Sequence, residues 1–257
     1  MAASPIPLTP AAGCTDLLVS WHHRPKDDVS LLDLSRLSEL AALRLTPNWL
    51  ELGALTTYWD VMQTPALAAE FPLLGQAARQ VGAVQIQTRG TWAGNVANGS
   101  PAADGVPVLM AYDAVVVLQN QGGAVEVPLD SYYTGYRASV RRPDQLITAI
   151  RVPRRPRKRQ WFHKVGARSA QAITKVGVAM VCDDRGWRVV ANSVAPTVVR
   201  CRHVEQALDA GRSFADPAEV RTLLQRDIAP IDDMRSTARY RAEVLSRLIW
   251  FWLQEQP

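Results

Sequence analysis

Ile86-Gln87-Thr88-Arg89-Gly90-Thr91-Trp92-Ala93-Gly94-Asn95-Val96-Ala97-Asn98-Gly99-Ser100-Pro101-Ala102-Ala103-Asp104 crowds small residues, hydroxyls and amides around one carboxylate. It carries almost no large apolar side chain, so it does not read as a core strand. Glycine and alanine let a backbone approach another group closely, while Thr91, Asn95, Asn98, Ser100 and Asp104 supply donors and acceptors. A phosphorylated, hydroxyl-rich guest suits such a surface. Ser100-Pro101 also reads as a helix cap with proline at the first helical position.

Elements on either side of this run follow from periodicity. Pro65 to Val81 carries Leu67, Phe71, Leu74, Ala78 and Val81 at helical spacing and predicts one helix. Thr56 or Thr57 caps a helix starting near Tyr58. Val106 to Tyr112 reads as helical. Ser30 to Leu34, Trp49 to Ala54, Ala114 to Leu118, Val125 to Pro128 and Leu146 to Pro153 read as strands, with a turn at Gln121-Gly122-Gly123. Leu17-Leu18-Val19 is open between strand and helix, and residues 1–10 read as a proline-rich tail or loop. The basic, proline-interrupted segment 153–159 predicts a domain boundary, with one domain over 1–153 and a second over 160–257. Beyond it, Trp161 to Val165, Val176 to Cys182 and Trp187 to Ala191 predict strands. His203 to Ala210, Pro217 to Gln225 and Tyr240 to Leu253 predict helices.

The 257 residues, 47% hydrophobic and 21% charged, suit a globular chain with a substantial core and two domains. No apolar run is long enough for a membrane span. The opening residues lack the basic and apolar regions of a secretion signal. Cys14, Cys182 and Cys201 have no CxxC spacing and cannot all pair, which fits a reducing, cytoplasmic setting. They are also too few to hold an iron–sulfur cluster with four thiolates. His22, His23, His163 and His203 form no metal-ligand pattern. The net charge of +5 is concentrated in Arg141, Arg142, Arg151, Arg154, Arg155, Arg157, Lys158 and Arg159. This cluster reads as a solvated loop or as a docking patch for an acidic partner. Nucleic acid fits poorly, since no aromatic residues interleave before Trp161.

Ala11-Ala12-Gly13-Cys14-Thr15-Asp16-Leu17 is a tight turn of small residues whose successive N–H groups can form an anion nest. An ordinary turn reads the same way, and no GxGxxG is present.

Together these motifs resemble the FAD-binding (medium) subunit of the molybdenum hydroxylases, the xanthine dehydrogenase and carbon monoxide dehydrogenase family. Ala12 to Leu17 is similar to the family's A-G-G-T-D-L loop. Ile86 to Asp104 is similar to its second signature, with Cys14 and Ala93 standing where glycine is usual. Glu51 to Thr56, Val194 to Arg200 and Ser236 to Arg241 extend the likeness. The resemblance implies an α+β chain: a PCMH-type FAD-binding fold of two α/β subdomains, then a domain of β-sheet plus helix bundle. The first loop falls early in the chain, so the first subdomain is expected to be short.

The resemblance also implies roles. Ala11, Ala12, Gly13, Cys14, Thr15, Asp16 and Leu17 would wrap the FAD pyrophosphate. Thr91, Trp92, Ala93, Gly94 and Asn95 would form the second phosphate loop, with Ser100 nearby. Asp104 would bind cofactor hydroxyls, Ile147 would sit against the isoalloxazine and Lys164 would contact the flavin region. No residue would act as a catalytic acid or base, and none would bind a metal. A partner small subunit with 2Fe-2S clusters and a large subunit with the molybdenum cofactor would complete the complex. The electron acceptor would be NAD, oxygen, a quinone or a protein. Two alternatives stand beside this: a scaffold subunit without flavin, and a self-contained PCMH-type FAD oxidoreductase.

Overall fold

The computed structural model describes residues 8–23 and 29–255. Of the expected N-terminal tail, residues 1–7 lie outside the described residues. Leu8–Ala11 is a strand rather than a loop (β1), paired in parallel with Ser30–Asp33 (β2). Pro10 lacks an N–H but is tolerated, because β1 pairs with only one neighbour. The chain crosses between these strands through Leu17–His23 (α1), so the open reading at Leu17 resolves as helix.

Next come Leu43–Leu45 (β3) and Trp49–Gly53 (β4). β3 has no residue fully buried, which is why no apolar alternation announced it. Six helices follow: Tyr58–Met62 (α2), Pro65–Glu70 (α3), Pro72–Gln80 (α4), Val84–Gln87 (α5), Trp92–Asn98 (α6) and Gly105–Ala111 (α7). The single helix expected over 65–81 is therefore two. Pro72 has no N–H to continue α3, and Phe71 leaves helical geometry at φ −128°, ψ 54°. The apolar face survives the break, since Leu67, Phe71, Leu74 and Ala78 are all buried. Thr57 caps α2 in a full capping box with Asp60.

Val115–Asn120 (β5) and Gly123–Pro128 (β6) form the expected hairpin. A minor hairpin, Tyr133–Gly135 (β7) with Ala138–Ser139 (β8), leads to Leu146–Pro153 (β9). β9 is the central strand of an antiparallel sheet in the order β3-β4-β9-β5-β6. After it, Arg159–Val165 (β10), Val176–Asp183 (β11), Gly186–Asn192 (β12) and Val199–Arg200 (β13) make a four-stranded antiparallel sheet. Arg202–Asp209 (α8), Pro217–Leu224 (α9) and Ala238–Gln254 (α10) cover one face of it. The architecture is the expected α+β fold, with a helix-rich FAD-type unit followed by a sheet-plus-helix unit.

The two sheets share a core. α7 is buried along its whole length and packs against β11 and β12. One apolar cluster runs from Leu50, Phe71 and Leu109 into Phe162, Ala179 and Val190. The second cluster lies between the four-stranded sheet and α9 and α10, around Val178, Leu245 and Ile249. This shared core fixes the position of everything between the sheets.

The basic segment is neither a free loop nor an open patch. Arg151 is bonded to Glu51 at 2.8 Å and also to Glu126, and Arg154 forks onto Glu70 at 2.9 Å. Arg155 meets Asp113 at 3.2 Å. The Arg157 guanidinium lies 4.3 Å over Tyr112 and 4.8 Å over Phe71, and its burial lowers its pKa. These contacts tie the linker down onto the first sheet and its helices.

Candidate functional site

A cleft of about 490 Å³, within the usual range for small-molecule sites, opens where the N-terminal turn meets the helices. Glycine makes this meeting possible. A Cβ on Gly13 would fall 1.7 Å from the Arg89 carbonyl oxygen, so only glycine allows the two backbones to touch. The turn is anchored behind, as Leu34 N–H donates to the Ala11 carbonyl at 2.9 Å and Leu18 N–H to that of Cys14 at 3.0 Å. Cys14 itself sits at φ +61°, the left-handed region that glycine adopts freely and a Cβ resists. The N–H groups of Ala12, Gly13, Cys14, Thr15 and Asp16 donate to no described group. Backbone donors left free beside a cleft await water or an anionic ligand.

The opposing wall is α6 and the turn before it. Thr91 is its N-cap and accepts from Gly94 N–H at 2.9 Å. Tyr58 N–H donates to the Gly90 carbonyl and Trp92 N–H to that of Thr56, each at 3.2 Å, which stitches this wall to the chain after β4. Ala93 lies inside the helix and carries no positive φ, so alanine suits the position. Periodicity did not reveal α6, because too few of its side chains are large and apolar. The one legible signal was Thr91, a capping residue type three residues before Gly94.

Of the residues singled out, Ala11 to Leu17, Thr91, Ala93, Gly94, Asn95 and Ile147 line the cleft. Trp92, Ser100, Asp104 and Lys164 do not. Trp92 is fully buried, its ring 4.9 Å from that of Tyr58. The Ser100 hydroxyl accepts from Ala102 N–H at 3.2 Å in a local turn, and the helix expected from Pro101 begins only at Gly105. Asp104 pairs with Lys164 at 2.6 Å and accepts from the Thr174 hydroxyl, while Lys164 also donates to the Gln80 carbonyl at 2.8 Å. Burial raises the Asp104 pKa, against the opposing pull of Lys164 and Thr174. This pair joins the two domains just behind the Tyr58 and Val81 end of the cleft. The Tyr58 hydroxyl is itself pushed up, first by burial and then by the Asp104 charge.

Sequence reading missed Tyr58, Val81, Arg141 and Gln145 on the cleft wall, whereas Ile86 and Asn98 fall within the stretch it singled out. The missed residues come from three separate segments, and no local motif links them. No cluster of histidine, cysteine and carboxylate residues suited to a metal occurs among the described residues. No described helix is long and apolar enough to cross a membrane.

The fold is that of a flavoprotein subunit of two units, a helix-rich domain that bears most of the cleft and a sheet-and-helix domain. Residues 5–155 match the family model described as the FAD binding domain in molybdopterin dehydrogenase, and residues 161–255 match the CO dehydrogenase flavoprotein C-terminal domain. The chain belongs to this family of FAD-binding subunits of molybdenum hydroxylase-type oxidoreductases. It is 28% identical over 246 residues to the carbon monoxide dehydrogenase medium chain of Hydrogenophaga pseudoflava, covering 93% of this chain and 85% of that one. It is 27% identical over 246 residues to a xanthine dehydrogenase FAD-binding subunit of Escherichia coli O157:H7, covering 92% and 84%. A solved structure of carbon monoxide dehydrogenase from Hydrogenophaga pseudoflava superposes with a TM-score of 0.88 at 26% identity, over 96% of this chain and 88% of that chain.

Proposed function

We propose that this chain is the electron-relay subunit of a three-part complex. Its partners are an iron–sulfur subunit with 2Fe-2S clusters and a large subunit with the molybdenum cofactor, where substrate is oxidised. Bound FAD would supply electron exchange between the iron–sulfur partner and an acceptor such as NAD, oxygen, a quinone or a protein. The protein's own residues hold and orient. The five free N–H groups from Ala12 to Asp16 would hold a phosphate-sized anion, and Gly13 and Gly90 let the two walls approach each other closely. Ile147 offers an apolar wall to one of the cofactor's rings. Lys164 and Asp104 hold the C-terminal domain over one end of the cleft. The domains divide at 153–160, where β9 ends and β10 has just begun.

The observation that carries this reading is the cleft between two glycine-dependent walls, with unpaired backbone donors on one of them. The purified full chain, incubated with FAD and desalted, should show flavin absorption near one equivalent. Coexpressed with its partners, it should copurify with iron and molybdenum. A chain that retains no flavin but still assembles with the partners would be a scaffold instead. One that binds flavin and assembles with neither would be self-contained.

A further inference from the structure

We propose that Arg141 grips the adenosine half of the cofactor and makes the cleft a dinucleotide site rather than a mononucleotide site. This rests on the FAD reading above. Among the described residues that line the cleft, Arg141 is the one cation and Asp16 the one carboxylate. The cleft is lined mainly by small and apolar residues, and α6 gives its scale. Its first residue follows the Arg89-Gly90 turn that touches Gly13. Its far end meets the chain segment just before Arg141, where the Tyr133 hydroxyl donates to the Val96 carbonyl at 2.9 Å. At 1.5 Å per residue the seven residues of α6 span about 10 Å. An arginine on the segment that meets this far end belongs to the half of the cleft away from the anion cradle. It is within range of the sugar and ring on that side.

The other end of the cleft, at Val81 and Ile86, adjoins the C-terminal domain, since Lys164 reaches the Gln80 carbonyl there. The two ends are therefore unlike. One is bordered by the domain that would cap the redox-active ring, and the other is lined by first-domain residues alone. Arg141 belongs to the first-domain end. Its Nη1 is fully used, donating to the carbonyls of Gln145 at 2.8 Å and Arg142 at 3.3 Å. Gln145 is buried and its Oε1 accepts from Arg142 N–H at 2.9 Å, which stiffens the loop. Nε and Nη2 of Arg141 donate to no described group. A guanidinium fixed on one edge and free on the other can stack its face on a purine while its free edge donates to the ribose or phosphate oxygens beside it. On this placement Ile147, next along the wall, packs on the adenine and not on the isoalloxazine, where the resemblance would put it, and the isoalloxazine takes the Val81 and Ile86 end.

The test is equilibrium binding of FAD, FMN and ADP to the apo full chain and to Arg141→Leu, with Arg142→Leu as the control outside the cleft. Arg141→Leu should weaken FAD by tenfold or more, the loss of about one bond to a charged donor. ADP should weaken in parallel and FMN should not change. Arg141→Gln, whose amide can still bond the Gln145 carbonyl, should show the same split if the leucine variant misfolds. Equal weakening of FAD and FMN would put Arg141 against the flavin and overturn the proposal. So would unchanged FAD and ADP affinity. A wild-type chain that binds neither FAD nor FMN would instead overturn the cofactor reading on which the proposal stands.

Discussion

Gly13→Ala should abolish tight FAD binding while leaving the fold standing. The added Cβ would lie 1.7 Å from the Arg89 carbonyl oxygen and 2.6 Å from its carbon. Carbon and oxygen approach no closer than about 3.3 Å in ordinary weak contacts. One backbone must therefore move by about 1.6 Å, and no flexible side chain can absorb the shift. The Arg89-Gly90 turn is the stiffer side. Both of its N–H groups bond the Ile86 carbonyl, and its Gly90 carbonyl accepts from Tyr58. The Ala12 to Asp16 loop must yield, and its N–H groups then no longer converge. A hydrogen bond to a charged group contributes about 1.5–3 kcal/mol, so losing two of them costs about 3–6 kcal/mol. That is about a hundredfold or more in the dissociation constant. Overpacking costs the apo fold only about 1–3 kcal/mol. Flavin fluorescence titration of the full chain reads the first number and urea unfolding of the apo chain reads the second. If the variant keeps wild-type FAD affinity with altered stability, the contact between the two walls is not what forms the cradle.

We make two further predictions. Cys14→Gly removes the strain of a Cβ at φ +61°, worth about 1–2 kcal/mol, against about 0.5–1 kcal/mol of added chain entropy. FAD affinity should hold or improve and the melting temperature should not fall; a clear loss of both would mean that the thiol itself is needed. Lys164→Met strands a buried Asp104, so the chain should lose about 3–5 kcal/mol at pH 7, and pairing it with Asp104→Asn should recover most of that. The pH sign follows from Asp104, whose pKa is raised in the fold. In the single variant, the lost stability should return as pH falls and the carboxyl takes up a proton. Urea midpoints at pH 5 and pH 8 decide this, and equal losses at both would refute it.

Much of the chain was legible locally. The strands from Leu146 and Val176 and the helix from Ala238 carry strong apolar patterns, because each buries one face in a single core. Helix breaks were harder. Pro72 stands inside an unbroken apolar period, and the period outweighed the missing N–H in the reading. α6 was hidden because it buries one large side chain, Trp92, beside only Ala93 and Val96, and β3 because it buries none fully. The basic segment misled for another reason. The partners of its arginines, Glu51, Glu70, Asp113 and Glu126, lie far away in sequence, so the charges looked free.

By itself the sequence determined the two glycine-dependent loops, the family they signal and the strand-rich order of the second half. Those features depend on neighbouring residues, and neighbours are what a sequence displays. Tertiary structure decided how the loops meet, through the contact of Gly13 with the Arg89 carbonyl. It decided that Asp104 and Lys164 face each other across the domain junction and do not line the cleft. It also brought Arg141 to the cleft wall. Each of these joins residues far apart in the chain, and only packing of the shared core fixes their separation.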